Sequence, residues 1–137
     1  MSTKTKTKST EHPRVLIVDD DESMRLLLAK FLTTALKVEP TLAGTGEEAL
    51  RLADRHVYDA ILLDLLMPGT SGFKVLRALR AGSRNVSTPV IIVSVLSETF
   101  TKEHCIAAGA TAYIAKPVNR SALVAMVKAQ LAGEPLP

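Results

Sequence analysis

The chain has 137 residues, which is enough for one domain and little more. Apolar residues make up 47% and aromatic residues only 4%, so the core must be built from Leu, Val, Ile and Ala, a composition that suits helices packed on a parallel sheet better than an aromatic-rich barrel. The net charge of +3 is too weak a bias for direct nucleic-acid binding, and no run reaches the roughly 18 apolar residues of a membrane span.

Residues 2–10 alternate Ser, Thr and Lys without apolar periodicity, which predicts a disordered, weakly basic leader over residues 1–12. The leader has no apolar segment of the kind that opens a secretory signal. The single cysteine, Cys105, cannot close an internal disulfide. The expected compartment is therefore the cytoplasm. The folded unit is expected over residues 13–132, with a short tail over 133–137.

Val15–Val18 is a wholly apolar, β-rich run and reads as a strand buried on both faces. Met24, Leu27, Leu28, Phe31, Leu32 and Ala35 follow at helical spacing, with Asp20 or Asp21 available as the cap. A second strand near Val38–Ala43 is weak, because Pro40 suits only an edge or an end. Gly44, Thr45 and Gly46 make a turn into a helix with Ala49, Leu50, Leu52 and Ala53 inward. Ala60–Leu63 is a third buried run, ending at Asp64. A loop with Pro68 and Gly69 leads to a helix opened by Gly72, with Val75, Leu76 and Leu79 inward. After Pro89 come a strand over Val90–Val93, a helix from about Glu98 to Ala108 that ends at Gly109, and a strand over Ala112–Ala115. The last helix spans about Asn119–Ala132, with Leu123, Met126, Val127 and Leu131 inward. Val124 and Ala125 fall on its outer side. The order is (βα)₅, an α/β fold with a doubly wound, five-stranded parallel sheet.

Ligands of such a sheet bind outside the carboxyl ends of its strands. There the sequence puts Asp19 and Asp20, Asp64, Ser94 and Lys116. Three carboxylates brought together repel one another and resist joint ionisation. A hard divalent cation with oxygen ligands relieves that repulsion, and Mg²⁺ suits a site of one or two carboxylates, water and a phosphoryl oxygen. One carboxylate can then act as a nucleophile and form an acyl phosphate, while Lys116 and Ser94 hold the phosphoryl oxygens.

The segments Val15-Leu-Ile-Val-Asp-Asp20, Asp64-Leu-Leu-Met-Pro68 with Gly72, Val93-Ser94 and Lys116-Pro117 resemble the receiver domains of two-component response regulators, across about residues 13–132. The resemblance implies a flavodoxin-like sheet of order 2-1-3-4-5. It implies that Asp64 is the phosphoacceptor and that Asp20, Asp64 and the Leu66 carbonyl bind Mg²⁺ directly, with Asp19 acting through water. Ser94 is implied as the switch hydroxyl, Tyr113 as the aromatic switch residue, and Lys116 as the phosphoryl-binding lysine, with a cis bond before Pro117. The implied donor is a sensor histidine kinase or a phosphotransfer protein. The implied output is a downstream protein partner met by the fourth helix, fifth strand and fifth helix. On this reading the chain is a signalling module and not an enzyme.

No output domain follows residue 132 in this sequence, and Met1 with the short Pro-containing tail favours a single-domain regulator over a fragment of a longer one. Two other readings compete. One is a receiver-like interaction module that takes no phosphoryl group. The other is an aspartyl-nucleophile phosphohydrolase, in which Asp19 and Asp21 form the two-apart acid pair. A dinucleotide-binding domain ranks below both, because no G-x-G-x-x-G follows the first strand.

Overall fold

The structure is a computed structural model that describes residues 12–133. The expected leader and tail lie outside the described residues, apart from His12 and Gly133. Five strands alternate with five helices: β1 Arg14–Val18, α1 Glu22–Ala35, β2 Glu39–Ala43, α2 Gly46–Arg55, β3 Ala60–Leu63, α3 Gly72–Arg80, β4 Val90–Ser94, α4 Thr99–Ala107, β5 Ala112–Ala115 and α5 Arg120–Leu131. All strand pairs are parallel, and the sheet order is β2-β1-β3-β4-β5. The expected order holds. Pro40 lies in β2, on an edge of the sheet, where a missing N–H costs no ladder bond.

The sheet divides the core in two, because successive strand residues point to opposite faces. Leu16, Val18, Ile61, Leu63, Val90 and Ile92 face α2 and α3, meeting Ala49, Ala53, Val75, Leu76 and Leu79. Val15, Ile17, Leu62, Ile91 and Val93 face α1 and α5, meeting Leu28, Leu32, Leu123 and Val127. Such strands have no polar face, and this is why they read as unbroken apolar runs.

Three details of the helical pattern come out differently. Ala35, the last residue of α1, is exposed although it lies at helical spacing in the apolar stripe. Leu27, inside the apolar stripe of α1, is 42% exposed. Only the arc centred on Leu28 and Leu32 reaches the sheet, and residue 27 sits about 100° round the helix from residue 28. Val124 on α5 is half-buried and packs against the second core cluster instead of standing clear in solvent.

Helix starts are set by local chemistry. Asp21, Thr45, Ser71 and Asn119 each accept hydrogen bonds from N–H groups of the first turn. The exception is α4, which Glu98 precedes without a side-chain cap and which buries only Cys105. By both measures α4 is the helix held least firmly to the sheet.

Candidate functional site

The sheet order reverses between β1 and β3, and the crevice at that point opens at the strands' carboxyl ends. Main-chain bonds carry the ladder one residue past each strand. Asp19 N–H donates to the Ala43 carbonyl (3.1 Å), Asp64 N–H to the Val18 carbonyl (3.0 Å), and Lys116 N–H to the Ser94 carbonyl (2.8 Å). The backbones of Asp19, Asp64 and Lys116 are therefore placed by the sheet itself. This is why three residues distant in sequence converge.

Lys116 Nζ donates to Asp19 Oδ2 at 2.8 Å and to Asp64 Oδ2 at 3.4 Å. Both carboxylates are buried, at 1% and 4% exposure, whereas Asp20 beside them is exposed. The second oxygen of Asp19 accepts from Asp21 N–H (2.9 Å), and that of Asp64 from Leu66 N–H (3.4 Å). One carboxylate oxygen from each of Asp19, Asp20 and Asp64 falls within 4.8 Å of the others.

The electrostatics follow from this packing. Burial pushes the Asp64 carboxyl above its ordinary value and the Asp19 charge adds to the shift, while Lys116 opposes both. Burial alone would lower the Lys116 ammonium, but its hydrogen bond to Asp19 and the charges of Asp64 and Asp19 outweigh that and raise it. Three carboxylates against one ammonium leave an excess of two negative charges when all are ionised. A divalent cation matches that excess, and an all-oxygen donor set suits a hard one. The residues present therefore fit such an ion.

Ser94 ends β4 fully buried, and its Oγ accepts from Leu96 N–H at 3.3 Å. The Tyr113 hydroxyl donates to the carbonyl of the same Leu96. Leu96 is thus tied at both ends, to one residue of β4 and one of β5. Tyr113 is half-buried, with Lys102 Nζ 5.9 Å from its ring centroid. The Lys116–Pro117 bond is cis, as expected. Leu66 lies in the loop after β3, with its side chain 51% exposed.

Gly72 has a role that its place in the sequence pattern does not explain. A Cβ there would lie 2.1 Å from the Asp64 carbonyl oxygen and 2.7 Å from Leu65 Cα. Only glycine lets α3 begin against the backbone of Asp64. Arg25, which belongs to none of the sequence motifs, also reaches the site: its Nη1 donates to the Asp19 carbonyl at 2.7 Å. Its position one turn into α1 is the signal, because helical side chains lean toward the N-terminus. Asp21, which the hydrolase reading pairs with Asp19, is occupied as the cap of α1, its Oδ1 accepting from Ser23 N–H (2.9 Å) and Met24 N–H (3.4 Å).

Comparison with known proteins agrees with this geometry. Residues 15–128 match the family model of the response regulator receiver domain. The chain is 35% identical over 125 residues to the response regulator ArlR of Staphylococcus aureus, covering 89% of this chain and 54% of that protein. It therefore spans about half the length of the curated relatives it matches. Among solved structures, the receiver domain of Francisella response regulator 1452 superposes with a TM-score of 0.83 at 32% identity, covering 89% of this chain and 98% of that one. The chemotaxis protein CheY4 of Vibrio cholerae gives 0.75 at 33% identity, covering 80% and 91%. Among the described residues, no helix is long and apolar enough to cross a membrane. With its family model matched over most of its length and its acidic crevice at the reversal point of the sheet, this chain belongs to the response regulator receiver domains, the signalling modules of two-component systems.

Proposed function

We propose that Asp64 accepts a phosphoryl group in a Mg²⁺ site made with Asp20 and the Leu66 carbonyl, Asp19 contributing through water. The observation that carries this reading is Lys116 Nζ bridging Asp19 and Asp64 in a cluster that Asp20 completes. In the reaction an Asp64 carboxylate oxygen attacks the phosphorus of the donor, a P–O bond to Asp64 forms, and the donor's bond to phosphorus breaks with its electron pair leaving on the donor. The donor class is a phosphohistidine protein, either a sensor kinase or a phosphotransfer protein. Bound Mg²⁺ supplies charge neutralisation for the incoming phosphoryl oxygens. Lys116, already within reach of Asp64, supplies a charge-assisted hydrogen bond to one of those oxygens. Ser94 supplies a hydroxyl once it turns from Leu96. The functional unit is residues 13–132, in a cytoplasmic setting.

The added group brings about −1.5 to −2 charges. Its effect passes through Ser94 and Leu96 to Tyr113, and from there to the surface of α4, β5 and α5. Two features support that route. Leu96 is bonded to both Ser94 and Tyr113, and α4 is uncapped and lightly buried. The surface of α4 exposes Phe100 at 77% and Ile106 at 48%, apolar area suited to a protein partner.

The test is incubation with Mg²⁺ and a small acyl phosphate, followed by intact mass. A single phosphoryl adduct in the wild-type protein, absent in Asp64→Asn and absent with chelator, is expected. No adduct in the wild type, or an adduct that survives Asp64→Asn, refutes the assignment.

A further inference from the structure

Arg25 is the one cation among the described residues that reaches the main chain of the acidic pair. Its Nη1 donates to the Asp19 carbonyl at 2.7 Å. That carbonyl belongs to the peptide joining Asp19 to Asp20, so its direction sets where the Asp20 side chain starts. Asp19 has other restraints: its carboxylate is held by Asp21 N–H and Lys116, and its N–H by the Ala43 carbonyl. Asp20 is exposed and makes no side-chain hydrogen bond among the described residues. The aim of its carboxylate therefore depends on the peptide that Arg25 grips.

The same nitrogen also lies beside Gly44. A Cβ at residue 44 would lie 3.0 Å from Arg25 Nη1 and 3.5 Å from its Cζ. Gly44 is itself held by Glu48 Oε1, which accepts from its N–H at 2.9 Å. The guanidinium thus lies against both the loop after β1, which carries the acids, and the loop after β2, which α2 anchors.

We propose that Arg25 is a positioning residue for the cation site, acting through the Asp19–Asp20 peptide and seated against Gly44. This inference rests on the Mg²⁺ reading of the site. The sign of the effect separates positioning from charge. Arg25 brings a positive charge to the rim of a cation site, and by Coulomb's law alone its removal tightens Mg²⁺ binding. Loss of positioning does the reverse. Removing a partner that orients a metal ligand weakens binding by about tenfold or more.

The experiment is a Mg²⁺ titration of the whole chain, followed by amide NMR, for the wild type, Arg25→Ala, Gly44→Val and the double variant, with thermal unfolding to confirm that each folds. In Arg25→Ala the dissociation constant is expected to rise about tenfold, with the Asp20 amide shifted in the metal-free protein. Gly44→Val, which pushes the guanidinium off its seat, is expected to give a similar loss. The double variant is expected to bind no more weakly than Arg25→Ala, because both changes remove one interaction. Mg²⁺ binding in Arg25→Ala as tight as in the wild type, or tighter, overturns the proposal, as do losses that add in the double variant. Should Arg25→Ala not fold, Gly44→Val decides, and unchanged affinity there refutes the proposal. A wild-type protein that binds no Mg²⁺ refutes the reading of the site on which the inference stands, a different outcome from a wild type that binds and an Arg25→Ala that binds equally.

Discussion

Replacing Lys116 by Met removes the one ammonium that bridges two buried carboxylates, at 2.8 and 3.4 Å, while keeping the apolar stem. The side chains of Asp19 and Asp64 are 2% and 6% exposed, and that of Lys116 is 13% exposed. Such a pair is insulated from solvent screening, and removing one partner of a buried pair costs about 3–5 kcal/mol by leaving the other charge uncompensated. Lys116 is shared and sits at the mouth of the crevice, so about 3 kcal/mol is expected in metal-free protein at pH 7. The assay is urea denaturation across a pH series without metal.

The pH dependence has a definite sign. Asp64 has a folded value raised above its ordinary 3.8, so its folded state holds the proton more tightly than its unfolded state. Its favourable contribution is whole below 3.8 and is lost as pH climbs through the raised value. Lys116 opposes that rise, so Lys116→Met pushes Asp64 higher still. The variant should be far less stable than the wild type at pH 7 and recover much of the difference on acidification through the carboxylate range. The raised Lys116 value means that its own stabilisation is whole below 10.5 and lost only above it. A loss that is independent of pH between 4 and 7, or no loss at all, would refute the electrostatic account.

Three further outcomes can be checked. Gly72→Ala drives a methyl into the Asp64 carbonyl and Leu65 Cα, where backbone must move; it should cost about 2–3 kcal/mol and slow phosphoryl uptake, read by thermal unfolding and intact mass. Leu66 and Val95, 51% and 58% exposed beside the crevice, and half-buried Leu96 offer an attacking water no polar anchor, so the phosphoryl group should last minutes or longer in the isolated domain. Leu66→Gln should shorten that lifetime about tenfold, the worth of roughly one hydrogen bond, and a wild-type lifetime of seconds would contradict it. Fully buried Asn85 accepts from Tyr58 N–H and Thr88 Oγ1 and donates to the carbonyls of Ala53 and His56; Asn85→Ala should cost about 3 kcal/mol by orphaning these groups, with Mg²⁺ affinity unchanged in a calorimetric titration.

The amino-acid sequence by itself determined the alternation of buried strands and amphipathic helices, and with it which residues fall at strand ends. Strands buried on both faces must be apolar throughout, so the acids, the hydroxyl and the ammonium that close them stand out: Asp19, Asp64, Ser94 and Lys116. The edge position of Pro40 and an aspartate cap on α1 were equally legible, since each follows from local backbone chemistry, although Asp20 and Asp21 were equal candidates for that cap until the structure assigned it to Asp21. Contacts between segments distant in the chain were decided only in three dimensions. Nothing in the order of residues says that Lys116 sits closer to Asp19, 97 positions away, than to Asp64, 52 away. Whether Asp20 or Asp19 is the buried member of the pair depends on how α1 leaves the sheet. The outward turn of Leu27 and the inward packing of Val124 depend on which arc of each helix meets the strands. The need for glycine at 72 and the grip of Arg25 on the Asp19 carbonyl arise where two segments touch. Pattern and propensity describe each segment alone, and such contacts are properties of pairs.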